Sequence, residues 1–217
     1  MGTIPPARLR ADARRNRDRI LRAAVTVFAQ DGPYVPMDEI ARLAAVGVGT
    51  LYRHFPDREA LILAVVRASL AAMAARARAA QAEERCAWDA MLRSLRGSPE
   101  LRLTLCLPDR FLPATAEVIR ADPEIRRIRG ELVGQIEDLV QAARQEGTLR
   151  PDVGAGDVIH LFSTLLHVVH RMPAETAEAV YERSWEIVLD GLRARPGEAL
   201  PGRALTAADV TAGFSSR

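Results

Sequence analysis

The segment Gly49 to Phe55, GTLYRHF, gathers side chains that can hydrogen-bond to a polyanion. Wound at about 100° per residue, it turns Leu51 and Phe55 to one side and projects Gly49, Thr50 and Arg53 from the other, with Tyr52 and His54 on the flanks. An exposed crest of this kind can reach base edges in the major groove of a duplex, while its flanks meet the phosphate backbones that wall the groove. At Gly49 the missing side chain lets the backbone itself come close.

Such a rod needs a support that holds it out from the body. Just before it, Ile40, Leu43 and Ala44 recur at spacings of three and four, which predicts a helix with that stripe buried and Asp38, Glu39 and Arg42 in water. Gly47 is expected to supply the φ > 0 that reverses the chain between the helices. Together, Met37 to Phe55 have the shape of a helix-turn-helix. The same residues also suit an αα-corner in an ordinary helical domain, with Tyr52 and His54 covering its core.

TLYRHF followed by PDREAL, preceded by MDEIARLA and by a long amphipathic helix ending in FAQDG, strongly resembles the N-terminal domain of TetR-type transcriptional regulators over roughly Arg14 to Leu61. The resemblance implies that Val48, Gly49, Thr50 and Arg53 match base-facing positions, and that Tyr52, His54 and Arg58 match phosphate-holding ones. Three positions depart from the family pattern. Pro36 stands where a capping Ser or Thr is usual, leaving Asp38 or the backbone to cap the helix. Ala45 stands where Gly is usual, which leaves helix ending to Gly47. Val48 replaces a polar residue and implies apolar contact with a thymine methyl.

The net charge of the 217 residues is only +2, but its distribution is uneven. Between Arg8 and Arg22 seven Arg face two Asp. This segment suits a mobile arm reaching the DNA backbone or a minor groove, the alternative being a solvated helix face. Every basic residue is Arg, in keeping with an Ala-rich, high-GC composition, so the total count carries little weight. Cys86 and Cys106 lack a ligand-like spacing and are expected to be buried free thiols. No signal peptide is recognisable, and no apolar run approaches the length of about 20 residues that crosses a bilayer. A cytoplasmic protein without a membrane partner is expected.

Periodicity predicts an all-α chain: an N-terminal three-helix helix-turn-helix domain plus a C-terminal helical ligand-binding and dimerisation domain. The expected divisions are 1–60 with a basic arm, 61–195, and a loosely packed tail at 196–217. Helix 1 is expected over about Ala13 to Asp31. Asp57 should cap a helix running through Leu61, Val65, Leu70 and Met73 to about Ala80, which leaves the first domain through the short FPDR link. Further helices are expected over Cys86–Arg96, up to a break at Gly97, Ser98 and Pro99, and over Pro108–Arg120. Another should run from an Asp122–Pro123 cap to about Glu146, where Gly147 ends it. The segment EGTLRPDV is similar to the linker before the penultimate helix in many TetR-type chains.

Asp157 to Arg171 is apolar nearly all round, so it must be covered on two sides. Val180, Tyr181, Trp185, Val188 and Leu192 give the last helix a seam of its own. The four helices of two subunits would make a homodimer, the alternative being one large intramolecular core. His160, His167 and His170 share a track on the first of these helices. Without partner ligands they suit interface or pocket positions, and no metal or other cofactor is expected. Trp88, Met91, Leu95, Phe111, Phe162 and Leu166 suit either a ligand pocket or plain core packing.

Two functions of different class follow. The first, implied by the resemblance, is a regulator binding a double-stranded DNA operator as a homodimer, most simply a repressor released by a small apolar or amphipathic ligand. The second is a helical hydrophobic-ligand carrier or enzyme without DNA binding. The chain has no Gly-rich phosphate loop and no nucleophile elbow, which argues against an enzyme.

Overall fold

The computed structural model of the protein describes residues 6–96, 100–101, 111–170 and 172–210, with backbone alone at 6–10, 170 and 174. Helix α1 (Pro6–Asp31) sends Ile20, Leu21, Ala24, Val27 and Phe28 inward along one face. Helix α1 begins at Pro6 and not near Ala13, so the basic segment from Arg8 to Arg22 is helical throughout. Helix α2 (Met37–Leu43) buries Met37, Ile40 and Ala41, and Ala44 beyond its end is buried too. Leu43, expected inside, is 49% exposed: the stripe is set from Met37, and Leu43 falls beside it. No side chain caps α2, whose first intrahelical bond runs from Ile40 N–H to the Pro36 carbonyl at 3.3 Å.

The turn after α2 departs from expectation. The left-handed residue is Ala45, at φ +49°, whereas Gly47 has an ordinary φ of −69° and serves as N-cap of α3 (Val48–His54). Val46 N–H donates to the Ala41 carbonyl at 3.0 Å and Ala45 N–H to that of Arg42 at 3.1 Å, which is the Schellman pattern. It requires φ > 0 at the residue after the C-cap, here Ala45.

Helix α4 (Arg58–Glu83) starts at Asp57, whose carboxylate accepts from Ala60 N–H at 2.7 Å. It is long and apolar enough to cross a bilayer, contrary to the expectation from run length, because its alanines do not stand out as a greasy run. Half of its most apolar window is buried inside the fold, as in the core helix of a globular protein. Leu61, Ile62, Val65, Val66 and Leu70 join α1–α3 in a first core, while Ala80 enters a second. The first core therefore continues past residue 60.

Helix α5 (Ala87–Leu95) and helix α7 (Pro123–Gln145) pack along α4. The carboxylate of Glu146, just past the end of α7, accepts from Ala87 N–H at 2.9 and 3.0 Å and so caps α5 from another element. The short α6 (Pro113–Ala121) ends at Asp122, which caps α7 by accepting from Ile125 N–H at 2.9 Å and pairs with Arg67 of α4. That guanidinium and the Ile125 amide hold the Asp122 carboxyl below the usual carboxylate range. Ile119, Ile125 and Ile128 complete the first core. As expected, Gly147 ends α7, at φ +71°.

Helices α8 (Ala155–His170) and α9 (Ala174–Leu192) pack on each other and close the second core with Phe162, Trp185, Leu189 and Leu192. Among the described residues every regular element is helical, apart from a single bridge between Leu149 and Arg193.

The segment 198–210, expected to be loosely packed, is docked on the start of α8. Leu205 O accepts from Gly156 N–H at 2.9 Å, and the Asp157 carboxylate accepts from Gly154 N–H at 2.8 Å and Leu205 N–H at 3.1 Å. Asp152 accepts from Leu200 N–H at 2.7 Å. Cys106, the break at Gly97, Ser98 and Pro99, the helix start at Pro108, the Arg171 end of the penultimate helix and Phe214 lie outside the described residues.

Candidate nucleic-acid interface

Helix α3 stands on the first core by Leu51, fully buried, and by Phe55 at its C-cap. Its remaining residues turn outward as the winding predicts. Val48, Gly49, Tyr52 and Arg53 are exposed, and Thr50 and His54 are half-buried. Arg53 donates to the Thr50 hydroxyl at 2.9 Å, which orders the two side chains of the crest into one polar unit. A methyl group on Gly49 would meet no atom within 4 Å, so this glycine is not demanded by packing within the chain.

Arg58 is placed differently from its neighbours. Its Nη1 donates to the carbonyl of Pro33 at 3.1 Å and also to that of Val35, tying the start of α4 to the α1–α2 loop. Two arginines of α1 flank the motif in ways the sequence did not disclose. The Arg17 guanidinium lies 5.3 Å from the centre of the Phe55 ring, and Arg19 donates to the Ala45 carbonyl at 2.6 Å. Their signal was only the basic density of α1. Leu43 and Val48, 49% and 42% exposed, add apolar surface at the adjoining ends of α2 and α3.

The other sequence-predicted groups lie at the far end of the molecule. Trp88, Met91, Leu95 and Phe162 meet in the second core, where Phe162 and Trp185 stack obliquely with centroids 4.6 Å apart. Leu166 is buried as well, but Phe111 packs against the first core, away from them. Of the seam on α9, Trp185 and Leu192 are buried within the chain, and Tyr181 and Val188 pack on the second core. This larger apolar stripe serves the chain's own interior. Exposed apolar side chains lie instead on a second, smaller stripe: Leu161 and Val168 on α8, and Ile187 on α9, with Val180 half-buried. Its spacing of seven was legible, but it was overshadowed by the aromatic stripe. His160 is exposed beside a cleft of about 360 Å³ that Leu161, Val188, Leu200 and Leu205 also line. Among the described residues no three His, Cys, Asp or Glu side chains converge as metal ligands.

Residues 20–65 match the family described as bacterial regulatory proteins, tetR family, and residues 105–194 match the C-terminal domain of SbtR-like transcriptional regulators. An HTH-type transcriptional regulator of Staphylococcus aureus USA300 is 40% identical over 63 residues, which span 29% of this chain and 34% of that regulator. A TetR regulatory protein from Mycobacterium vanbaalenii is 30% identical with a TM-score of 0.62, the match covering 85% of this chain and 99% of that one. A TetR regulator from Streptomyces coelicolor is also 30% identical, with a TM-score of 0.65 over 82% of this chain and 98% of the other. The chain belongs to the TetR family of bacterial transcriptional regulators, a family that is not enzymatic.

Proposed function

We propose that the protein is a repressor that binds a palindromic operator as a homodimer and leaves it when a small apolar or amphipathic molecule enters the helical domain. The observation that carries this reading is the exposed crest of α3, with Thr50 and Arg53 joined at 2.9 Å above a buried Leu51. In the major groove, Arg53 is suited to a bidentate bond with guanine and Thr50 to either kind of base edge, while Val48 suits a thymine methyl. Tyr52 and His54 meet phosphates from the flanks. Arg58, with Nη1 engaged by carbonyls, acts by holding the α1–α2 loop.

Dimerisation uses the outward stripe of Leu161, Val168, Val180 and Ile187, paired with its own copy about a two-fold axis. The two α3 helices then stand about one helical turn of DNA apart, roughly 34 Å. The ligand parts the side chains around Trp88, Met91, Leu95, Phe162 and Leu166. It weakens DNA binding by the ratio of its affinities for the two arrangements.

A mobility-shift assay with the DNA upstream of the protein's own gene tests this reading. A shifted band at low salt is expected, and its absence with dimer present overturns the proposal. Tyr52→Ala should weaken binding to all sequences alike, whereas Arg53→Ala should also relax base preference. Equal losses on specific and random DNA for both variants would refute that division of roles.

A further inference from the structure

The α1–α2 loop is held from two sides. Arg58 of α4 clasps the carbonyls of Pro33 and Val35. Between them, the Tyr34 hydroxyl reaches across to α6, accepting from Leu112 N–H at 2.8 Å and standing 3.5 Å from the Thr115 hydroxyl. Leu112 is the N-cap of α6 and brings no capping side chain, and the Tyr34 hydroxyl, from the helix-turn-helix region, accepts from its own N–H, the amide that a residue of the first turn would otherwise engage in a capping box. At its other end α6 runs into Asp122, which is paired with Arg67 of α4. The short helix is thus anchored to the α1–α4 region at both ends.

Resting on the function proposed above, we infer that Tyr34 is a positioning residue, the latch through which the start of α6 and the orientation of α3 constrain each other. A displacement of α6 at Leu112 draws on the Tyr34 hydroxyl, and the loop that carries Tyr34 is the segment that enters α2. Arg58 keeps that loop from yielding locally, so the displacement passes to α2 and α3 as a body. The coupling is reciprocal: DNA that fixes α3 must also change the freedom of the Leu112 amide.

This reciprocity permits a test with DNA alone. Amide hydrogen exchange is measured on the full-length protein, with and without the duplex that gives the shifted band, for the native chain and for Tyr34→Phe, which removes only the hydroxyl. In the native protein, DNA is expected to slow exchange in α3 and to change the rate at Leu112 several-fold. In Tyr34→Phe the protection of α3 should persist while the DNA-dependent change at Leu112 vanishes, with the melting temperature kept. Thr115→Val, which removes the longer contact alone, should retain most of the change. If α3 gains no protection, the DNA-binding reading fails. If α3 is protected but Leu112 responds equally in both proteins, or in neither, the latch is overturned.

Discussion

The glycines at the two ends of the molecule differ in what demands them. Around the start of α8, a methyl group on Gly154 would come within 2.2 Å of Leu205 O, and one on Gly156 within 2.4 Å of Thr206 O. Packing inside the chain forbids side chains there. In the helix-turn-helix, Gly47 has an ordinary backbone and its nearest neighbour would be 3.9 Å away, while Gly49 has open space around it. Where the fold needs a glycine, the reason is visible in the chain itself. At Gly49, as at Gly130, Gly134 and Gly191, no such reason exists within the chain; in the function proposed above, its missing side chain leaves room for DNA to approach the backbone of α3.

The largest expected effect lies at the end where the chain explains its own glycines. Gly156→Val forces a branched side chain against the Leu205–Thr206 backbone, which cannot yield as a flexible side chain would. A loss of about 1–3 kcal/mol is expected, as for an overpacked core site. Thermal melting gives the stability, and the rate of trypsin cleavage after Arg203 reads the release of segment 198–210. An unchanged melt with an unchanged cleavage rate would show that the seat is not sterically determined.

Next in size is Gly49→Ala. Within the chain it should be neutral, since its methyl group meets nothing within 4 Å and alanine favours helix. On DNA the same methyl group stands between the α3 backbone and the groove. A roughly tenfold weaker operator affinity, about 1.4 kcal/mol, is expected with the melting temperature kept. Titrating a labelled operator duplex decides it, and equal affinity of the two proteins would place Gly49 away from the DNA.

The contrast between the ends also explains what was legible in the sequence. The inward turn of Leu51 and Phe55, the caps at Asp57 and Asp122 and the stop at Gly147 are local events, fixed by residues within a turn or so of one another. Leu43 was misplaced because the stripe on α2 is set from Met37, one turn earlier than the residues that drew attention. On α9 the aromatic stripe announced burial without saying against what. A periodic pattern gives a face and not its partner. The docking of segment 198–210 left almost no trace, since it depends on carbonyls and amides of Leu200 and Leu205 meeting Asp152 and Asp157, each 48 residues away. Backbone groups have no sequence signature.

The smallest effect concerns two helix ends that share a hydrogen-bond pattern but not a residue. After α7, Thr148 N–H donates to Ala143 O at 3.0 Å and Gly147 N–H to Arg144 O at 3.1 Å, matching the bonds of Val46 and Ala45 after α2. Glycine takes the left-handed conformation at Gly147, whereas Ala45 takes it at a steric cost of about 1–2 kcal/mol. The Arg19 bond to the Ala45 carbonyl, anchored in α1, helps hold the alanine there. Ala45→Gly removes the steric cost but gives the unfolded chain more freedom, worth about 0.4–1 kcal/mol in the opposite direction. A net gain of about 0.5–1 kcal/mol is therefore expected, read as a rise of roughly 1–4 °C in melting temperature for a chain of this size. The reverse exchange, Gly147→Ala, should lose a similar amount. Should Ala45→Gly instead lower the melting temperature, the tertiary contacts around Ala45 would have to favour its methyl group itself, and the turn of the helix-turn-helix would owe its geometry to packing more than to its hydrogen bonds.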